Sequence, residues 1–180
     1  MRKKIAAAMA LSVLTMFAAP VHAAQDPADH ARIEEVVEKF RVSIIKKDKA
    51  SFMKLFYNDK TSWIGVKTDT SLARQIARKT DPKMPPPKKM FDSGTPLEFI
   101  EGIVAEKEPS EETFENVRID SDGDVAQVWF DYTFNYDGYK TNWGKESWHM
   151  VRAPDGWKIN SVIFSMEFNP EPPPKSEKKS

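Results

Sequence analysis

Val125-Ala126-Gln127-Val128-Trp129-Phe130-Asp131-Tyr132-Thr133-Phe134, followed by Asp137-Gly138, the run Trp143 to Val151, Asp155-Gly156 and the run Trp157 to Phe168, is the stretch that decides the fold. Three runs rich in aromatic and β-branched residues are joined by two Asp-Gly pairs. Such runs suit a pleated, half-buried surface, and Asp-Gly accepts the positive φ of a tight hairpin. The stretch predicts an antiparallel sheet of consecutive hairpins.

Upstream, Thr113 to Asp120 reads as one more strand, closed by the turn Asp120 to Asp124. Thr95-Pro96-Leu97-Glu98 is a capping box with proline in the first turn, opening a helix with the apolar stripe Leu97, Ile100, Ile103 and Val104. Asp81 to Met90 holds Pro82, Pro85, Pro86 and Pro87 and is expected to be an extended loop, a surface connector or a lid. Thr70 to Lys79 predicts a short helix with Leu72 and Ile76 inward, and Thr61 to Val66 a short strand. Ile33, Val36, Val37, Phe40, Ile44 and Ile45 recur at helical spacing, so a helix runs from about Pro27 to Lys47. Asp48 caps a second helix carrying Phe52, Leu55 and Phe56. Helices grouped ahead of an antiparallel sheet make an α+β fold. Curled around the long first helix, the sheet forms a half-open cone with a cavity.

The chain begins with Arg2-Lys3-Lys4, an apolar run from Ile5 to Ala19, and Val21-His22-Ala23. This is the pattern of a cleaved signal peptide, residues 1–23, and it predicts a periplasmic or secreted protein with no membrane anchor after cleavage. One domain over 24–168 and a Pro-, Lys- and Ser-rich disordered tail over 169–180 complete the expected organisation. Neither cysteine nor a basic surplus is present: the whole chain has 27 basic and 27 acidic residues, and the leader removes three of the basic ones. Disulfides and thiolate chemistry are excluded, and nucleic acid is not an expected partner. The acidic run Asp120 to Asp124 has no flanking helices, and its twelfth position is Asp131 in a strand, so it reads as a turn rather than a calcium loop. His30 and His149, far apart in sequence, suggest no metal site, and no nucleotide, dinucleotide or Gly-x-Ser-x-Gly motif occurs.

A type I′ turn at Asp137-Gly138 pairs Tyr136 with Tyr139. Carried back along the strands, that register sets Asp131 opposite Gly144, Trp129 opposite Glu146 and Gln127 opposite Trp148. Gln127, Trp129, Asp131, Asn142, Glu146 and Trp148 then share one face. Burial beside indole rings and a second carboxylate raises a carboxyl pKa, so Asp131 is the candidate base and Glu146 its partner. Phe40 and Trp63 are further candidates for the pocket wall, although large aromatics also fill cores. Val128, Phe130, Tyr132 and Phe134 form a cleaner apolar row. If that row is the core face, Asp131 and Glu146 look to solvent or to a dimer partner. A bulge at Gly144 also separates the two carboxylates.

The order of elements, with Trp129 to Phe134, Asp137-Gly138, Gly144 and Gly156-Trp157-Lys158-Ile159, resembles the nuclear transport factor 2-like superfamily. Within it the resemblance is to small exported proteins with a polyketide-cyclase-like (SnoaL-like) domain, over about Ala31 to Phe168. It implies a cystatin-like, cone-shaped half-barrel: a curved antiparallel sheet wrapped around N-terminal helices, a pocket between them, and a homodimer through the sheet in many members. Function does not follow, because isomerases, dehydratases, cyclases, epoxide hydrolases and binding modules share the scaffold. Many members carry Ser-His-Cys-Gly after the turn. Thr141-Asn142-Trp143-Gly144 stands there in this chain, so an asparagine replaces the histidine that would serve as acid or base. The expectation is an exported protein holding a small apolar or aromatic molecule, with no cofactor implied. The alternatives are a lyase, isomerase or cyclase using a pocket carboxylate, and an adaptor that binds through its sheet.

Overall fold

The structure, a computed structural model, describes residues 27–173. The expected leader, 1–23, and the end of the expected tail lie outside the described residues. Helix α1 (Pro27–Lys46) turns Ile33, Phe40 and Ile44 wholly inward. Burial of each such side chain contributes about 2 kcal/mol. Lys47 takes a left-handed φ of 55° and ends the helix. The Asp48 side chain then accepts the Ser51 N–H at 3.0 Å and caps α2 (Lys49–Met53). This completes a helical hairpin.

Next come β1 (Ser62–Lys67), α3 (Asp69–Ala77), β2 (Met90–Asp92) and α4 (Pro96–Ala105). The capping box at Thr95 and Glu98 forms in full, a cap whose loss costs about 1 kcal/mol. Ile100 and Ile103 of the predicted stripe are buried, whereas Val104 is exposed. In α3 the inward position expected for Ile76 is corrected, since it is 53 % exposed. That helix docks instead through polar groups: Thr68 caps it and donates to Glu167, and Arg74 bonds Glu167 at 2.5 Å. The proline-rich residues 82–89 carry no helix or strand until β2 begins at Met90.

Strands β3 (Ser110–Ser121), β4 (Val125–Tyr136), β5 (Tyr139–Ala153) and β6 (Gly156–Phe168) form a meander. The sheet order is β2-β1-β6-β5-β4-β3. All pairs are antiparallel except β1 with β6, so the expected antiparallel sheet is mixed. Sequential hairpins enforce antiparallel pairing, but β1 reaches β6 across a long crossover that imposes no such direction. Asp137 and Gly138 both have positive φ, 49° and 73°, as a type I′ turn requires. Each ladder of the meander carries one irregularity, between Glu115 and Arg118, between Phe134 and Asn135, and between His149 and Met150. Bulges bend strands and sharpen twist, which curls the sheet around α1.

The inner face is the row Val128, Phe130 and Tyr132, with Trp148, Val162 and Phe164 beside it. Phe40 of α1 meets Trp148 and Phe52 with ring centroids at 4.9 Å and Phe114 at 5.9 Å. Residues 169–171, expected to open the tail, are still bonded to β5: Asn169 donates to the carbonyls of Thr141 and Lys140 at 2.9 and 2.8 Å. Among the described residues no helix is long and apolar enough to cross a membrane.

At Gly144 the backbone of β6 comes so close that a Cβ would lie 2.0 Å from the Ser165 carbonyl oxygen. Backbone cannot swing aside as a side chain can. Gly144→Ala is expected to cost about 3 kcal/mol, near the upper end for overpacking, read as a drop in the urea midpoint at unchanged m-value.

Candidate functional site

One surplus residue in β5 decides what the cone contains. Beyond the pairs Tyr136–Tyr139 and Asn135–Lys140, Thr141 has no partner position, and Phe134 pairs with Asn142. The Thr141 hydroxyl donates to the Phe134 carbonyl at 3.0 Å and holds the bulge. Every later pair is displaced by one: Tyr132 with Gly144, Phe130 with Glu146, Val128 with Trp148. Asn142, Glu146 and Trp148 therefore lie on the inner face, while Gln127, Trp129 and Asp131 lie on the outer one.

The face predicted to unite Asp131 with Glu146 is thus corrected, and the slip sits at Thr141 rather than at Gly144. Asp131 pairs with Lys145 directly across the ladder and accepts from Asn116 Nδ2 at 2.7 Å. The bond from Lys145, then that from Asn116, hold its carboxyl below the usual range. It is an ionised group of the outer face. Gln127 is likewise outside, with Nε2 3.3 Å from Ser147 Oγ, and Trp129 is half-buried there.

Inside, a cavity of about 200 Å³ lies between the sheet and α4. Its apolar walls are Trp63 of β1, Phe99 of α4, Phe134 of β4, and Phe164 and Met166 of β6. Its polar lining is Ser93, Asn142, Tyr132, Glu112 and Glu146. Of the residues singled out from sequence, Trp63, Asn142 and Glu146 border it. Phe40 and Trp148 sit behind it in the core, fully buried. Glu112 was missed because the predicted strand began at Thr113. Alternation carried two residues back from Phe114 would have placed it on that ring's face.

Each acid enters the cone for a definable reason. β3 sets Glu112 opposite Phe134, and the slipped register sets Glu146 opposite Phe130. Their side chains are almost wholly removed from solvent, with 4 % and 2 % exposure. Trp148 Nε1 donates to Glu146 Oε1 at 2.5 Å. Among the described residues no group hydrogen-bonds the Glu112 carboxyl, and its oxygens open on the cavity. Burial pushes Glu146 up to about 8, with the Trp148 bond pulling the other way. Burial, and then the charge of Glu146, push Glu112 well above the ordinary carboxyl range.

Tyr132 lies in the same acidic surroundings. Its hydroxyl donates to the Ser165 carbonyl at 2.9 Å, and burial and the two glutamates raise its pKa. Gly144 is what lets it do so. The bare backbone opposite Tyr132 leaves room for β6 to close in, and Ser165 Oγ accepts the Lys145 N–H at 2.9 Å where the ladder opens.

This fold is the nuclear transport factor 2-like, or cystatin-like, fold. The chain is similar to a nuclear transport factor 2-like protein of unknown function from Shewanella baltica, with 16 % identity and a TM-score of 0.54 over 79 % of this chain and 96 % of that one. A cystatin-like protein of unknown function from Nostoc punctiforme matches with 13 % identity and a TM-score of 0.54, over 82 % and 96 %. A candidate aromatic ring hydroxylase from Novosphingobium aromaticivorans matches with 13 % identity and a TM-score of 0.53, over 81 % and 96 %. No family model and no curated protein matches the sequence.

The two glutamates hold their protons more tightly in the folded than in the unfolded chain. Their contribution is complete below the ordinary carboxyl pKa and is lost as pH rises through the folded value. Stability is therefore expected to fall from about pH 5 to about pH 8. Glu146→Gln should flatten that slope, leaving the share of Glu112. Urea unfolding at several pH values with both proteins checks this.

Proposed function

We propose that the chain is an exported protein that binds a small molecule inside its cone. One observation carries this reading: the cavity of about 200 Å³ is walled by aromatic rings and bears carboxyl groups that open on it. Closed apolar cores do not keep buried acids facing empty space, because each costs free energy unless it serves a guest or a reaction. Size bounds the guest. A cavity of about 150 Å³ accommodates benzene, so this one suits a single ring with a short substituent. The shared fold with a candidate aromatic ring hydroxylase is in keeping with an aromatic guest. Export is supported by the basic, apolar and small-residue succession of residues 2–23.

Thermal-shift and native mass-spectrometry screening against single-ring aromatic compounds tests the reading. At least one compound is expected to bind with one-to-one stoichiometry. Asn142→Phe, which places a ring into the cavity, should abolish that binding while the protein stays folded. A panel without any binder, or binding indifferent to the substitution, would overturn it.

A second reading is favoured by Glu146 itself. A cavity carboxyl titrating at about 8 is matched to proton transfer near neutral pH, as in lyases and isomerases. In this reading Glu146 takes and returns the proton, and Trp148 positions it through its indole N–H. Deuterium exchange next to the carbonyl of small cyclic ketones, followed by NMR, should proceed with the native protein. Loss of more than about a hundredfold is expected in Glu146→Gln.

A further inference from the structure

We propose that the guest of the cone is a small organic cation, an ammonium seated between the carboxyls of Glu112 and Glu146 with the rings of Trp63, Phe99 and Phe134 around it. This rests on the reading of the cavity as a binding site and specifies its charge.

The cavity lining contains two acids and no lysine, arginine or histidine. The other buried acid, Asp29, has Arg32 at 3.1 Å, and the half-buried Asp131 and Glu167 have Lys145 and Arg74. Burial without a basic partner therefore sets apart the two acids of the cone. Glu112 has no hydrogen-bond donor among the described residues. Glu146 has one, on Oε1, which leaves Oε2 available. A carboxyl in this position either keeps its proton or takes up a positive charge, and two of them on one cavity suit a cation better than any other guest.

The walls point to the kind of cation. Faces of Trp and Phe attract an ammonium through their quadrupoles, most strongly where water is excluded. Hard metal ions require six or more oxygen ligands, or a tight cluster of side-chain donors. Among the described residues no three metal-ligating side chains come together, and the rest of this lining is mostly rings. A carboxylate or phosphate guest finds no lysine, arginine or histidine in this lining to balance its charge.

Calorimetric titration with three ring compounds of matched size isolates the charge: benzylamine, benzyl alcohol and benzoate. The native protein should bind benzylamine at least about tenfold more tightly than benzyl alcohol, and benzoate not at all. In the Glu112→Gln, Glu146→Gln double variant the amine should bind no more tightly than the alcohol. Circular dichroism confirms that this isosteric variant is folded, and the single Glu146→Gln variant, with one acid left, should show a reduced preference. Equal binding of alcohol and amine by the native protein overturns the cation and leaves the binding cavity standing. A preference that survives in the double variant also overturns it. Failure of all three to bind, together with a screen that finds no other guest, removes the cavity reading along with it.

Discussion

A single surplus residue, Thr141, sorts the charges of this protein between the two faces of its sheet. In an unbroken hairpin Glu146 would share a face with Asp131, and Lys145 would point into the cone. The bulge exchanges them. Lys145 meets Asp131 on the outside, and Glu146 goes inward beside Phe130, where Trp148 can reach it. Side-chain alternation makes every one-residue slip a complete exchange of faces. The bond from the Thr141 hydroxyl to the Phe134 carbonyl fixes the exchange at its origin.

The inward glutamates oppose the rest of the core. Around them lies a network of packed rings, from Phe40 and Phe52 of the helical hairpin and Phe56 just beyond it to Phe114, Phe130 and Trp148 of the sheet. Apolar burial of that extent can carry two acids that a core built for stability alone would replace with leucine. Local conflicts between burial and polarity are where natural proteins keep their chemistry. The outer face shows no such conflict, because its pair of Asp131 with Lys145 is partly hydrated.

Much of this architecture was legible in the sequence. The helix spacing, the caps at Asp48 and Thr95, and the type I′ turn at Asp137-Gly138 are local signals that local geometry obeys. The apolar row Val128, Phe130 and Tyr132 also showed the inner face to be one of two readable alternatives. The choice between them was hidden, since both faces of β4 carry aromatics and nothing around Thr141 in the sequence marks a bulge. Glu112 was hidden for a different reason. An acidic pair, Glu111-Glu112, ahead of a strand reads as solvated edge, whereas pairing with Phe134 brings the second of the two to the inner face, on the cavity that Phe99 of α4 also lines. Direction was lost for β1, because parallel pairing across a long crossover leaves no turn to read.

That same crossover governs when the molecule can assemble. The segment after α2 clasps the last strand: Ile159 N–H donates to the Leu55 carbonyl at 2.8 Å, Tyr57 N–H to the Ile159 carbonyl at 2.9 Å, and β1 then runs beside residues 161–166. Partners so distant along the chain meet only after a large loop has closed, an entropic toll that slows folding more than it weakens the finished product. In a nascent polypeptide β1 therefore cannot find its seat until residues 161–166 have been made. Under the proposal that the chain is exported, such a delay keeps it threadable.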